Sequence, residues 1–516
     1  MAEASPAPGS AEERARFVAL QTKLAPMFRD TYANPLAERT VVVVPGLSLD
    51  QETLGHIPGA AHYEERQLSM LMLLRLPHTR LVFVTSTPVD PAIIDYYLSL
   101  LSGVPSSHAK RRLVLLSAYD AAPQSLSSKI LARPRLLDRI REAIPNLESA
   151  HLSCFNATAE EVTLAVQLGI PLYACDPALA WLGTKSGSRQ AFREAAVDLP
   201  DGAEGLRGAD ELSEALAALK ARRPRLARAV VKLEEGFSGE GNAVFDFREL
   251  DGRSVTAAWI REAFATRLRP EANGMSAERF LAKFGEMGGI VEVWLEGREK
   301  RSPSVQMRIT PTGVLEVIST HDQLLGGNSG QVFLGSTFPA DERYRCSLQQ
   351  AGRRVGEVLA GHGALGRFSV DFVTVREDEG WAHYAIEVNL RKGGTTLPFQ
   401  MLQFLTDGRY DAERGEFHTP TGQRRVYFAT DNLQRDAYRQ LTPEDLVDLI
   451  VEHRLHFDPT RQQGVVFNLI GALSEIGKLG MVSISDTPAH AETLYRRTVA
   501  VLDREVGVAM LHARAD

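Results

Sequence analysis

The sequence predicts an α/β N-terminal domain, then an α+β region, then a small mixed C-terminal domain. Three observations carry this. Over residues 39–183 short apolar runs alternate with helical stretches, the pattern of a parallel sheet with crossover connections. From about residue 230 the apolar runs pair across turns, the pattern of antiparallel hairpins. Finally, 516 residues exceed what one core holds, so roughly two to four domains are expected.

Residues 1–10 are rich in Ala, Pro and Ser and read as a disordered tail, with a helix completing residues 1–38. Residues 40–44, ending at Pro45-Gly46, read as a buried strand; 81–85, 112–116 and 171–174 read as further strands. Residues 65–76 and 91–101 read as amphipathic stretches between them, and Gly169 as the C-cap of a helix. Residues 184–406 form the next unit. Within it, 304–310 with 313–319, and 367–375 with 383–391, are hairpins; 186–196 and 348–360 are helices. Residues 407–423 are polar and glycine-rich, a connector to a third unit at 424–516.

Composition excludes several classes. Charged residues make up 24%, the formal net charge is -7, and Lys and Arg do not cluster, so nucleic acid is not an expected partner. The three cysteines, Cys154, Cys175 and Cys346, form no C-x-x-C pair and predict neither a disulfide framework nor a zinc site. No apolar run reaches the length of a membrane span, and no basic-then-apolar leader opens the chain, so a cytoplasmic location is expected.

The strongest chemical signal is the hairpin of 367–375 and 383–391. Alternation places Tyr384, Ile386, Val388 and Leu390 on an apolar face, and Glu387, Asn389 and Arg391 on the other. Asp371 on the partner strand joins the polar row. Two carboxylates and an amide oxygen are hard ligands suited to Mg²⁺ bridging phosphates, and Arg391 suits a phosphate or developing oxyanion. A solvated strand face with a salt bridge is the plain alternative.

Residues 230–242 carry the second signal. Lys232 leaves an apolar strand, and a loop with Gly236, Ser238, Gly239, Gly241 and Asn242 follows. Glycines let backbone N–H groups approach phosphate oxygens, and the lysine adds a fixed charge. The plain alternative is a flexible hairpin tip. Residues 289–297 read as a strand edge with Glu292, Trp294, Leu295 and Glu296, able to meet adenine through its backbone and ribose through a carboxylate; core packing of Trp294 is the alternative. Lys185 precedes a helix for which Ser186 or Ser188 is the expected N-cap. Residues 320–331 read as a polar loop, for substrate or merely at the surface.

In this order the pieces resemble the ATP-grasp superfamily, and more closely its pheganomycin-type peptide ligases. Residues 43–50 and His62-Tyr63-Glu64-Glu65-Arg66 are similar to that family's pre-ATP-grasp, Rossmann-like domain. Lys185, Lys232 and the 236–242 loop resemble the superfamily's phosphate lysines and grasping loop, Glu292 to Leu295 its adenine hinge, and Asp371, Glu387 and Asn389 its Mg²⁺ ligands. The string IEVNLRKGGTTLPF at 386–399 is the most family-specific, and residues after Arg424 resemble the C-terminal domain of the peptide-ligase group. The resemblance implies ATP and Mg²⁺, two ions of it, as cofactors. It implies a small-molecule acid and an amino-acid or peptide amine as substrates, and leaves room for a homo-oligomer. It also implies activation of the acid as an acyl phosphate, with Arg391, Lys392 and Arg367 as catalytic cations. Superfamily members often carry Arg two residues before the first metal ligand; this chain has Ser369 there, which leaves the role to Arg367 or Arg391. A kinase or carboxylase on the same ATP site, or a catalytically silent nucleotide-binding module, are the alternatives.

Overall fold

A run of four valines cannot be half-solvated, and the structure covers both of its faces. In the computed structural model, which describes residues 6–49, 51–236, 241–248, 255–272, 274–326, 332–378 and 380–507, these valines belong to the strand Arg39–Val44. It lies inside a four-stranded parallel sheet with Thr79–Thr85 and Leu113–Ser117 to one side and Ala150–Cys154 to the other. Val42 and Val44 pack with Val82, Leu137, Ile140 and Leu164 on one face. Val41 and Val43 pack on the opposite face into a core shared with Tyr427, Phe467 and Met481, far along the chain. Two covered faces explain why the strand reads as continuously apolar.

Three expectations need correction here. Residues 171–174 form only an isolated bridge, Leu172 to Leu152; Pro171 has no N–H to give. The fourth strand is instead Ala150–Cys154, whose polar His151 and Ser153 break the apolar run. The stretch around 65–76 belongs to a run of 3-10 turns, Ala60–Arg75, buried nearly all round because both the sheet and the C-terminal segment cover it. Residues 1–5 of the expected disordered tail lie outside the described residues, but Ser10 is an ordered N-cap, accepting from the Glu13 N–H at 3.1 Å.

The chain then builds two antiparallel sheets. The smaller has the order Gly202–Leu206, Gly289–Val293, Arg228–Leu233, Asn242–Asp246, Leu268–Pro270. Helices Gly208–Arg222, Ala257–Arg267 and Ala277–Met287 cover one face through Leu212, Leu216, Phe264, Phe280 and Phe284. The larger sheet has nine strands, one of them the two-residue Lys300–Arg301 paired with Gly366–Glu377. It runs from Gly380–Asn389 through Gly366–Glu377, Pro303–Ile309, Leu315–Gly326 and Val332–Phe338, then continues through Val426–Gln434, Lys478–Ser485 and Gly464–Asn468. Residues 424–507 of the unit set apart in the sequence reading thus extend the central sheet, and their apolar residues share a core with the first sheet. Residues 407–423 are not a plain connector: Arg409–Asp411 pairs with Glu416–His418 around a fully buried Phe417.

The His62-Tyr63-Glu64-Glu65-Arg66 run clasps these parts together. His62 Nε2 meets Glu475 at 2.6 Å, and Tyr63 accepts from Lys478 Nζ at 2.8 Å. Glu65 accepts from the Gly471 N–H at 3.0 Å, and Arg66 pairs with Asp431. Glu64 instead turns inward, accepting from the N–H and hydroxyl of Ser86, each at 2.6 Å. Burial pushes its carboxyl up to about 7, against those hydrogen bonds.

Candidate active site

The two antiparallel sheets face each other across a cleft of about 530 Å³. Its floor is the hairpin of Gly366–Glu377 and Gly380–Asn389. Ser369 stands opposite Asn389 and Asp371 opposite Glu387, so four polar side chains share one face. Between Asp371 and Phe372 the register slips, where Ile386 is the extra residue of a β-bulge. The bulge corrects the simple alternation. Ala385 and Val388 are the core residues, at 0% and 1% exposure, whereas Ile386 lines the cleft beside Glu387.

Asn389 Nδ2 donates to Asp371 Oδ2 at 2.9 Å, which leaves the amide oxygen to face a ligand. Glu387 accepts from Lys185 Nζ at 2.5 Å. The acids diverge in charge. Burial acts to raise the Glu387 pKa, but Lys185, Lys232 and Arg391 outweigh it and hold the carboxyl below its usual range. Asp371 is pushed up to about 7 by burial and by the Glu387 charge.

Lys185 opens the helix Lys185–Glu194. Its N-cap is Thr184, whose hydroxyl accepts from Gly187 N–H at 3.0 Å, and not Ser186 or Ser188. Those serines serve other purposes. Ser186 N–H donates to Glu234 at 2.9 Å, and Ser188 accepts from the Val388 N–H at 3.0 Å, fixing the helix to the Glu387 strand. On the opposite wall Lys232 meets Glu292 at 2.6 Å, and Arg189 meets the other oxygen of Glu292 at 2.6 Å. That carboxylate is 2% exposed and fully engaged, so Glu292 can meet a nucleotide only through its backbone. Trp294 is not core: it lines the cleft, with Arg228 and Lys300 each 4.4 Å from its ring centre. Leu295 follows it along the rim.

Gly236, Gly241 and Asn242 also line the cleft. Gly236 and Gly241 close the loop's neck: a Cβ on either would lie 3.1–3.2 Å from the other's Cα. Ser238 and Gly239 lie outside the described residues, as do residues 327–331 of the expected 320–331 loop. The rest of that loop is strand, in Leu315–Gly326, with His321 fully buried and bonded to the Tyr427 hydroxyl at 2.6 Å.

Three expected residues are not in the cleft. Glu296 lies at the surface, paired with Arg228 at 2.7 Å. Arg367 points elsewhere, donating to Gln306 at 3.0 Å, and burial pushes its guanidinium down to about 10. Lys392 alternates away from Arg391 into a separate pouch, where its ammonium donates to Gln67 at 2.7 Å and Ser153 at 2.8 Å. Burial pushes it down to about 8. Arg391 itself lines the cleft, 5.7 Å above the Phe155 ring. Among the described residues no cluster of three or more His, Cys, Asp or Glu is placed to hold a metal, so the candidate donors remain Asp371, Glu387 and Asn389.

With this geometry the comparisons become decisive. The profile of the IQCH-like ATP-grasp family matches residues 177–268 and 273–413, and that of the PGM1 C-terminal domain matches 445–498. The L-propargylglycine–L-glutamate ligase of Streptantibioticus cattleyicolor is 31% identical over 470 residues, 90% of this chain and 94% of that one. The chain belongs to the ATP-grasp superfamily, among its pheganomycin-type peptide ligases. IQ motif-containing protein H of Danio rerio is 24% identical over 91% of this chain, which spans about half that protein's length (49%). Among solved structures, the biotin carboxylase domain of Hydrogenobacter thermophilus 2-oxoglutarate carboxylase aligns with TM-score 0.54 and 12% identity over 89% of each chain. The N5-carboxyaminoimidazole ribonucleotide synthetase purK aligns with TM-score 0.53 and 13% identity over 91% of this chain and 98% of that one. At such identities these two share the fold.

The ATP-grasp cleft has a further wall that site reasoning from the sequence missed. Tyr63, Arg66 and Phe155 reach it from the N-terminal part, and Asp431, Asn432 and Lys478 from the C-terminal part. Each stands in an ordinary local pattern, and only the shared core brings them together. The one available signal was the dense polar run at residues 62–66.

Proposed function

We propose that this ATP-grasp protein is an ATP-dependent carboxylate–amine ligase. It joins an amino-acid-like acid to the amine of an amino acid or peptide and releases ADP and phosphate. The observation that carries the reading is the set of Asp371, Glu387 and Asn389 on one strand-pair face, with Lys185 beside Glu387 and Lys232 facing them across a cleft large enough for ATP. The 31% identical relative, a ligase by name, supports it. In this reading residues 39–183 are the pre-ATP-grasp domain, 184–406 the ATP-grasp domain and 424–516 a ligase-associated segment.

The donor set fits Mg²⁺. Two carboxylates are held in register with an amide beside them, and burial together with their mutual repulsion pushes one up to about 7, a cost that a divalent cation relieves. Bound there, Mg²⁺ would neutralise phosphate oxygens so that a carboxylate can approach them. The protein's own groups do the rest. Lys185 and Lys232 supply fixed charge for the phosphates. The backbone from Glu292 to Leu295 meets the adenine, and Gly236, Gly241 and Asn242 present backbone to the phosphates. Arg391, beside Asp371 and Glu387, faces the charge that develops as a substrate carboxylate oxygen attacks the γ-phosphorus and the bond to ADP breaks. The amine nitrogen then attacks the acyl carbon, and the carbon–oxygen bond to phosphate breaks.

The test is ADP release by purified protein with ATP and Mg²⁺ against pooled amino acids and short peptides, with product masses read in parallel. Release that needs both an acid and an amine, with a product one water lighter than their sum, supports the ligase. Phosphoryl transfer to a hydroxyl, or carboxylation with bicarbonate, overturns it in favour of a kinase or carboxylase.

A further inference from the structure

Beside the cleft lies a small pouch of about 20 Å³, lined by residues from all three parts of the chain. It is room for a terminal polar group, not for a side chain. Four atoms on its wall are buried and make no hydrogen bond among the described residues: Arg66 Nε, Gln67 Nε2, Ser336 Oγ and Asn468 Oδ1. Gln67, Ser336 and Asn468 are 5%, 1% and 3% exposed. Unpaired buried polar atoms are costly, and several converging on one space point to a ligand.

The Gln67 oxygen accepts from Lys392 Nζ at 2.7 Å, so the unpaired end on the pouch lining is its NH₂, a donor. Arg66 spends one nitrogen on Asp431 and keeps Nε free. Two cations, Arg66 and Lys392, stand against one carboxylate, Asp431, which Arg66 already neutralises. Arg66 Nε, Gln67 Nε2 and Ser336 Oγ can donate, Asn468 Oδ1 can only accept, and the net charge of the wall is positive, which favours an anion. Position narrows the choice. The pouch shares Arg66, Phe155, Phe333, Gly393 and Asp431 with the cleft. Its lining Lys392 directly follows Arg391 of the cleft in the chain. A carboxylate held here is not the one that reacts, because the reacting one must reach Arg391 and the phosphate.

Resting on the ligase reading above, we propose that the pouch holds the free α-carboxylate of the amine substrate. The acceptor is therefore an amino acid with an uncapped carboxylate, whose amine projects back into the cleft.

The test offers wild type, with ATP and Mg²⁺, a pool of free amino acids together with an equal pool of their α-carboxamides, and reads the masses of dipeptide acids and dipeptide amides. Wild type should favour the acids by about tenfold or more. Gln67→Glu keeps the oxygen facing Lys392 but puts an acceptor in place of the donor. It should collapse that ratio about tenfold and leave KM for ATP unchanged. Ser336→Ala, a milder change, should move the ratio the same way by less. An unchanged ratio in both variants means that the pouch holds only water and overturns the proposal. A parallel thermal melt needs no turnover. The free amino-acid pool should stabilise wild type and not Gln67→Glu, while the α-amide pool should stabilise neither; equal stabilisation of wild type by both pools, or by none, overturns the proposal. Absence of condensation with any pair, by contrast, counts against the ligase reading itself.

Discussion

Lys185 and Glu387, 202 residues apart in the chain, are joined by a 2.5 Å charged hydrogen bond that ties the first helix of the ATP-grasp region to its candidate metal strand. In the proposed reaction phosphate oxygens would compete for Lys185, and its release would free Glu387 to ligate a cation. Glu387→Ala should therefore lower kcat for ADP release by about 10²–10³-fold, the scale on which preorganised charge acts in such sites. It should also raise the Mg²⁺ concentration needed for half-maximal turnover. Retention of wild-type Mg²⁺ dependence would remove Glu387 from the site.

Glu292 predicts a stability effect. Its buried carboxylate is shared by Lys232 and Arg189, each at 2.6 Å. Removing it strands Lys232 in the smaller sheet and leaves Arg189, on the neighbouring helix, with Glu204 alone at 2.9 Å. Glu292→Ala should destabilise the protein by about 3 kcal/mol, the lower end for breaking a buried charge pair. Thermal melting without nucleotide checks this, and a shift no larger than that of a surface control would count against it.

Much of this was legible in the sequence, for identifiable reasons. The hairpin of 366–389 announced itself because alternation is a local rule, and it put Asp371, Glu387 and Asn389 together correctly. The same rule failed at Ile386, because a bulge leaves no mark in composition. Lys232 was found as a strand lysine before glycines, whereas Arg189, which shares Glu292 with it, was read only as part of a helix. Arg66, Asp431 and Asn468 were out of reach. They meet only because the C-terminal strands extend the central sheet and pack on the first one, a long-range arrangement with no sequence period.

Arg367 and Arg391 differ in a way that the Ser369 position makes testable. Arg391 lines the cleft beside the acids; Arg367 reaches only Gln306, which in turn donates to Thr395 at 3.2 Å. Arg391→Met should cost about 10²-fold or more in kcat, as for other groups aimed at developing charge. Arg367→Met should cost at most about tenfold, acting through the placement of Thr395. Steady-state kinetics on the two variants decides, and equal losses would return Arg367 to the catalytic set.

The clasp between the N- and C-terminal parts should respond to pH through His62. Burial alone would lower the His62 pKa, but the carboxylates of Glu65 at 2.9 Å and Glu475 at 2.6 Å outweigh it and raise it to about 9. The sign follows from linkage. The folded pKa lies above the unfolded value of 6.5, so the stabilisation is complete below about pH 6.5 and is lost as pH rises through about 9. Glu475 is 63% exposed, so screening reduces the contribution to on the order of 1–2 kcal/mol. Wild type should melt higher than His62→Gln at about pH 6, and the gap should close by about pH 10. A gap that stays constant across this range would mean that His62 acts as a neutral hydrogen-bonding group. Loss of the C-terminal contacts, read by proteolysis between residues 424 and 507, should follow the same pH course, because Glu65 also holds the Gly471 N–H and loses its charged neighbour when His62 deprotonates.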